Sequence, residues 1–226
     1  MIQNYLVCVT ALMTIQLQAQ QHSFVRVNFS EVKSTVASEK SPFYFPVLFK
    51  RYQDTDTTLS VEEYRYLYYG YTFQERYQPY KKLEAENIIN ELLLKDTLTT
   101  ADFSAIYGHC LEILQWHPFS TRYHLTSAIA CTQLGKTEEA RKHYYKYDRI
   151  ISVILSSGDG ATEQSAWSVI LISDEYELIN AIGFQRTGKQ KLLSKSLCDF
   201  IYVSANDYGL DGFYFDISRP FSRGFN

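Results

Sequence analysis

The chain has 226 residues and a net charge of −3 spread along its length, which argues against nucleic acid as a partner, because phosphate binding needs a basic stripe. The sequence contains no polybasic run, so it does not predict attachment to an anionic membrane surface. The hydrophobic fraction of 46% and the aromatic fraction of 15% are sufficient for a sizeable core, and the length predicts one domain.

The first nineteen residues are predicted to be a signal peptide. No Asp, Glu, Lys or Arg occurs from Met1 to Gln20, and the apolar run YLVCVTALMTI is too short to span a bilayer. Cleavage after Ala19 would leave one mature domain, residues 20–226, with no integral membrane segment. We therefore expect an exported protein, periplasmic or secreted; because no Lys or Arg precedes the apolar run, a buried first helix is the alternative.

Two aromatic faces are predicted on a helix that begins at Val61. Residues 22–53 read as a short strand or arm and then an ordered segment with two prolines. Ser60 and Glu63 form a capping box that starts a helix at Val61. On a helical projection one arc is typical of a core stripe, and it consists of Val61, Tyr64, Leu67, Tyr68 and Tyr71. A second arc can be inter-helix packing or a ligand groove, and it consists of Tyr66, Tyr69 and Phe73.

The remaining pattern predicts an α+β fold. Apolar residues recur at helical spacing over 83–95, 101–116 and 121–134, and Thr137 is expected to cap a further helix. In the last third WSVILIS, DFIYVS and FYFDIS are typical of strands, while Ser173 is expected to cap a short helix, DEYELINAI. We predict an antiparallel helical array over about 60–156, closed by a small antiparallel β-sheet within about 165–218.

One helical passage resembles a tetratricopeptide repeat. In LTSAIACTQLGKTEEARKHYYKY, four residues lie at the offsets of that repeat: Ala128, Gly135, Ala140 and Tyr144. The repeat is degenerate, since Tyr147 stands where a small residue is usual and His124 where Trp is. The resemblance implies that the helices pair antiparallel and stack side by side.

The chain as a whole resembles a family of exported proteins from Gram-negative gut anaerobes that is known only as a domain of unknown function. The residues that carry this resemblance are SVEEYRYLYYGYTFQERYQPY, SGDG followed by Glu163, VILISDEYELINAIGF, and LDGFYFDISRPF. The resemblance implies export and a helical fold with a β-rich end. It implies no activity, substrate or catalytic residue.

Four potential metal ligands recur at a spacing of seven residues: Cys110, His117, His124 and Cys131. Residues seven apart on a helix are about 10 Å apart, which is too far for one zinc ion. A turn near residues 116–121 would bring Cys110 level with Cys131 and His117 level with His124. We expect small residues packed at a helix crossing and no metal site, with a Cys110–Cys131 disulfide as the alternative.

No catalytic residue and no cofactor are predicted. His109 adjoins Cys110, but neighbours on a helix point in different directions, and no G-x-S-x-G motif is present. The acids that could form a glycosidase pair are Asp174, Glu175, Asp207, Asp211 and Asp216. Turn and cap roles account for all five.

The favoured hypothesis is an exported, non-enzymatic interaction module that holds a peptide or protein partner in a helical groove, with Tyr66, Tyr69 and Phe73 as binding residues. The alternative is an exported hydrolase that acts on glycan or peptide through carboxylates near the C-terminal sheet. A purely structural envelope protein is a third possibility.

Overall fold

Helices form the first two-thirds of the molecule. The computed structural model describes residues 24–224. The helices of this part are α1 (Phe29–Ala37), α2 (Phe45–Gln53), α3 (Val61–Tyr71), α4 (Glu84–Leu93), α5 (Thr100–Trp116), α6 (Thr121–Gln133) and α7 (Thr137–Leu155). Each helix from α4 to α7 packs against the next, and α3 contacts α1, α2 and α7. The predicted signal peptide lies outside the described residues.

The sheet and two further helices form the rest. These elements are β1 (Trp167–Ser168), α8 (Ile172–Ala181), β2 (Arg186–Leu193), β3 (Cys198–Val203), β4 (Gly212–Asp216) and α9 (Ser218–Phe221). The strand order is β1-β4-β3-β2. The predicted α+β class, with helices first and a small sheet last, is confirmed.

The sheet is mixed, whereas the sequence predicted an antiparallel one. Strand β3 is antiparallel to both β2 and β4, but β1 pairs with β4 in parallel. Strand β1 is also shorter than WSVILIS, because α8 already begins at Ile172. Strand β2 was not predicted: it is an edge strand that is almost wholly exposed, so its residues show no apolar alternation.

The helix starts show which local signals were sufficient. The Ser60–Glu63 capping box is present and starts α3 at Val61 as predicted. The cap predicted at Thr137 is wrong, because Thr137 is the first residue of α7 and Lys136 precedes it without a side-chain cap. Similarly, α8 begins at Ile172 and not after Ser173.

The segment before α3 contains two helices that the sequence did not predict. Residues 24–28 form an arm without regular secondary structure, and the Val25 N–H donates to the Ser156 carbonyl (2.9 Å). Helices α1 and α2 then follow, where the sequence predicted only an ordered segment with two prolines. The Asn28 side chain caps α1, and Pro46 occupies the first turn of α2, where its missing N–H has no cost.

Helix α3 is central in the core. Tyr64, Leu67 and Tyr68 are all 0% exposed and Tyr71 is 5% exposed, which confirms four members of the predicted stripe. The exception is Val61, at 45% exposed, because it lies in the first turn, where the helix leaves the core. In the last strand and just after it, alternate residues of FYFDIS are buried, namely Phe213, Phe215 and Ile217.

The contact between α1 and α3 depends on a glycine. A Cβ atom at Gly70 would lie 2.8 Å from Cγ1 of Val36, a β-branched side chain that is only 2% exposed. Gly108, in the middle of α5, has no atom within 4 Å of the equivalent position.

We therefore expect Gly70→Ala and Gly108→Ala to have opposite effects. Gly70→Ala should lower the free energy of unfolding by about 1–3 kcal/mol because the tight crossing must open. Gly108→Ala should raise it by about 0.5–1 kcal/mol, since alanine favours helix and meets nothing. Urea denaturation of both variants measures this; two changes of the same sign would show that helix propensity alone decides.

Candidate functional site

The three predicted binding residues lie in different environments. Tyr69 is 0% exposed, and its hydroxyl donates to the Ser168 carbonyl (3.1 Å) while its ring meets Phe29 edge-on at 5.7 Å. It packs between α1, α3 and β1. Tyr66 and Phe73 are half-buried and line separate grooves.

Tyr66 lines a groove of about 470 Å³ between the N-terminal arm and α3. Its ring stacks on Phe43 with the centroids 4.2 Å apart, and its hydroxyl donates to Glu31 (3.0 Å). Val25 and Val61 line the same groove and are 65% and 45% exposed. The groove therefore has an apolar floor whose aromatic side chain is held in place by its neighbours.

Phe73 lies at the other end of α3. The guanidinium of Arg219 lies over its ring at 4.4 Å and donates to the Thr72 hydroxyl (3.1 Å) and carbonyl (3.2 Å). A second groove, of about 410 Å³, includes Phe73 together with Phe45 and Gln74. The predicted aromatic face is thus divided between two grooves and the core.

A third cavity was not predicted. This cleft of about 720 Å³ lies where the first turns of α6 and α8 meet the loop after α3. The residues in its wall are Pro79, Tyr80, Lys81, Lys82, Glu86, His117, Ser120, Arg122, Tyr123, Leu171, Ile172 and Ser173. The residues that build it come from three distant parts of the chain, 79–86, 117–123 and 171–173, so no local pattern could have shown it.

Asp174 joins the elements around this cleft. The carboxylate is 0% exposed; it accepts from the Thr121 hydroxyl (2.7 Å) and N–H (3.3 Å) and from the Tyr68 hydroxyl (2.7 Å). The Tyr68 oxygen in turn accepts from the Ile170 N–H (3.2 Å). Burial raises the pKa of Asp174 to about 6, against the opposing effect of the hydrogen bonds from Thr121 and Tyr68. Asp174 was expected to have a turn or cap role at the start of its own helix, but its carboxylate bonds the first residue of α6 instead.

Glu175 is a buried carboxylate without a partner. It is 0% exposed, and neither of its oxygens has a hydrogen-bond partner among the described residues. Burial, together with the nearby carboxylates of Asp199 and Asp174, raises its pKa well above the usual range. Asp199 on β3 is 4% exposed and also has an unpartnered oxygen, and burial raises its pKa. The sequence named Glu175 as one of five candidate acids and explained it by its place at a helix start, and it did not point to Asp199.

The other candidate acids do not converge. Asp207 and Asp211 are exposed in the loop between β3 and β4. Asp216, at the opposite end of β4, accepts from the Ser168 hydroxyl (3.2 Å) and the Ser218 N–H (2.9 Å).

The cysteine and histidine spacing reflects packing. Cys110 and Cys131 are buried, unpaired thiols. His124 pairs with His143 of α7, with their Nδ1 atoms 3.0 Å apart, and not with His117. Burial lowers the pKa of His124 to about 3 and that of His143 to about 4. Within residues 24–224 no group of three or more potential ligands could hold a metal ion.

Comparison with known protein families shows which family the chain belongs to. The family described as Domain of unknown function (DUF4919) matches residues 30–224, which include most of α1 and every later element. The chain belongs to this family. Neither the curated proteins nor the solved structures include a significant match. Over the described residues, no helix has the length and apolar character needed to cross a bilayer.

We expect Tyr68→Phe to lower the free energy of unfolding by about 1–3 kcal/mol, because it leaves the Ile170 N–H without its acceptor and removes one of the three hydrogen bonds that Asp174 accepts. Tyr176→Phe is the matched control, since its hydroxyl is exposed and donates to Gln190 (2.9 Å). The control should change stability by less than about 0.5 kcal/mol. Thermal or urea denaturation compares the two, and equal small effects would show that the Asp174 network is not a strong constraint.

We expect Glu175→Met to raise the free energy of unfolding at pH 8 by about 1–4 kcal/mol, because it removes an unpaired buried charge. A raised pKa means that the folded state holds the proton more tightly, so the penalty is present at high pH and disappears as the pH falls toward 4.5. The gain should therefore shrink in acid. Both proteins keep the same buried histidines, so the difference between them isolates residue 175.

Urea denaturation of wild type and Glu175→Met between pH 4.5 and pH 8 measures this gain. Glu91→Met, at an exposed position of α4, is the control and should show no gain that depends on pH. A gain that stays constant across this range would contradict the assignment of residue 175 as a buried carboxyl whose pKa is raised.

Proposed function

We propose that this protein is an exported, non-enzymatic interaction module that binds a peptide segment of a partner protein in the groove beside α3. One observation carries the proposal: Tyr66, Val25 and Val61 expose apolar surface into the same groove. Exposed apolar residues that cluster in a concavity are typical of binding surfaces, whereas isolated ones are not.

The groove has the arrangement that peptide recognition requires. Its floor is apolar, while Glu31, Glu62 and Arg65 supply charges of both signs at its edge. Such a polar rim can orient the backbone of an extended segment whose apolar side chain enters the groove. Because Tyr66 is already stacked on Phe43 and bonded to Glu31, little side-chain entropy is lost on binding.

The other predicted residues have supporting roles in this proposal. Tyr69 holds α3 against Phe29 and β1 from within the core. Phe73 lines the second groove, which a longer partner could reach. Export is supported by the composition of residues 1–19, and a stacked, tetratricopeptide-like arrangement is supported by the successive packing of α4 to α7.

An exported hydrolase that acts on glycan or peptide is the second candidate. It is supported by Glu175 and Asp199, two buried carboxylates whose pKa values are raised by burial, as is common for catalytic acids. In this alternative the protein would turn over its bound ligand.

Selection from a displayed library of random peptides tests the binding proposal. We expect wild type to enrich peptides with an apolar anchor residue. Val61→Lys should weaken their binding about tenfold or more, because it places a charge in the apolar floor. Leu94→Lys is the matched control: Leu94 is 84% exposed at the end of α4, away from the groove, and its substitution should leave affinity unchanged.

Melting temperatures of both variants show that each is folded. Peptides that bind Val61→Lys as tightly as wild type would refute the groove as the site, and a library from which no peptide is enriched over Val61→Lys would refute peptide binding. Cleavage of the enriched peptides by wild type would favour the hydrolase.

A further inference from the structure

The start of α6 has a capping residue that does not cap. Serine is common at this position because its hydroxyl accepts from an N–H of the first turn. Ser120 holds the position, but it makes no such bond, and its hydroxyl has no partner among the described residues although the residue is only 1% exposed. The first-turn N–H groups that follow Thr121 therefore keep their donor capacity.

The start of α8 also has backbone N–H groups that no side chain caps. Its capping position is occupied by Leu171, which has no acceptor, so no side chain caps Ile172 and Ser173. Residues from the first turns of α6 and α8 line the same cleft of about 720 Å³. Both helices are ten residues or longer, so both bring the partial positive charge of a helix N-terminus to this cleft.

The side chains in the wall of the cleft carry a net positive charge, as the two helix N-termini do. Its wall contains three cations, Lys81, Lys82 and Arg122, and one carboxylate, Glu86, in a chain whose net charge is −3. Asp174 already occupies the Thr121 N–H. Glu86 lies near both Arg122 and Lys82, and the Lys81 ammonium lies over the Trp116 ring at 3.6 Å. One carboxylate against three cations leaves the wall with a net positive charge, which adds to the donor capacity of the remaining N–H groups.

The rest of the wall suits an apolar body. Tyr80 and Tyr123 supply rings, and Pro79, Leu171 and Ile172 supply aliphatic surface. We propose that this cleft binds a small organic oxyanion, with its carboxylate, phosphate or sulfate head at the starts of α6 and α8 and its ring or acyl body against Leu171 and Ile172. The cleft is separate from the Tyr66 groove, and this proposal does not depend on peptide binding there.

The hydroxyl of Ser120 has a defined role in this site. A hydroxyl can donate to an oxyanion while the neighbouring N–H groups do the same, so the bound head would supply the acceptor that the hydroxyl lacks in the free protein. Lys82, which is exposed, adds charge without being needed for folding.

Titration of the full chain with four phenyl compounds tests the proposal. The probes are benzoate, phenyl phosphate and phenyl sulfate, with benzyl alcohol as the neutral analogue. We expect the three anions to cause saturable shifts in the NMR amide signals of Arg122, Tyr123, Ile172 and Ser173. The tightest of them identifies the preferred head group, and benzyl alcohol should leave these signals in place at the same concentration.

Two variants and one control complete the test. Lys82→Gln and Ser120→Ala should each weaken binding of the best anion about threefold. Lys40→Gln, at an exposed position between α1 and α2, should have no effect. Shifts at these amides with benzyl alcohol, no saturable shift with any anion, or equal affinity in wild type and both variants would overturn the proposal.

Discussion

The buried carboxylate of Asp174 is the constraint on which this structure depends. A charge removed from water must be met by hydrogen bonds, and those of Asp174 come from Tyr68 on α3 and Thr121 on α6. Asp174 itself belongs to α8. One side chain therefore fixes how three helices meet, and the cleft at the starts of α6 and α8 is a geometric result of that junction.

The buried tyrosines in and around α3 meet a related requirement, which is to supply hydrogen-bond donors inside the core. Tyr69 donates to the Ser168 carbonyl and Tyr77 to the Ile170 carbonyl, while Tyr52 donates to the Pro118 carbonyl. The Pro118 and Ile170 carbonyls lie in irregular backbone and the Ser168 carbonyl ends the two-residue strand β1, where regular secondary structure does not supply a partner for every polar group. Phenylalanine would fill the same space but would remove these donors. Tyrosine thus supplies core volume and, at its tip, the donor that buried irregular segments need.

The sequence was sufficient where the signal is local. The capping box of Ser60 and Glu63 and the periodic spacing within α3 to α7 depend only on neighbouring residues, and they predicted the helices and the α+β class. The sequence was insufficient for β2, an exposed edge strand without apolar alternation. It also could not show the cleft, nor that the buried carboxylates of Glu175 and Asp199 lie near each other, because both depend on how distant segments meet. For the second aromatic face, periodicity placed Tyr66, Tyr69 and Phe73 together, but neighbouring elements cover Tyr69 and leave the other two partly open.

The tyrosine hydroxyls have a consequence for how the molecule comes apart. The donors on Tyr68, Tyr69 and Tyr77 belong to the helical part, whereas the groups they bond, at Asp174, Ser168 and Ile170, belong to the part that contains the sheet. A fragment that ends near residue 160 would keep the donors and lose every acceptor in this set. Neither part can keep all of its buried polar groups hydrogen-bonded without the other. We therefore expect residues 24–224 to unfold as one cooperative unit.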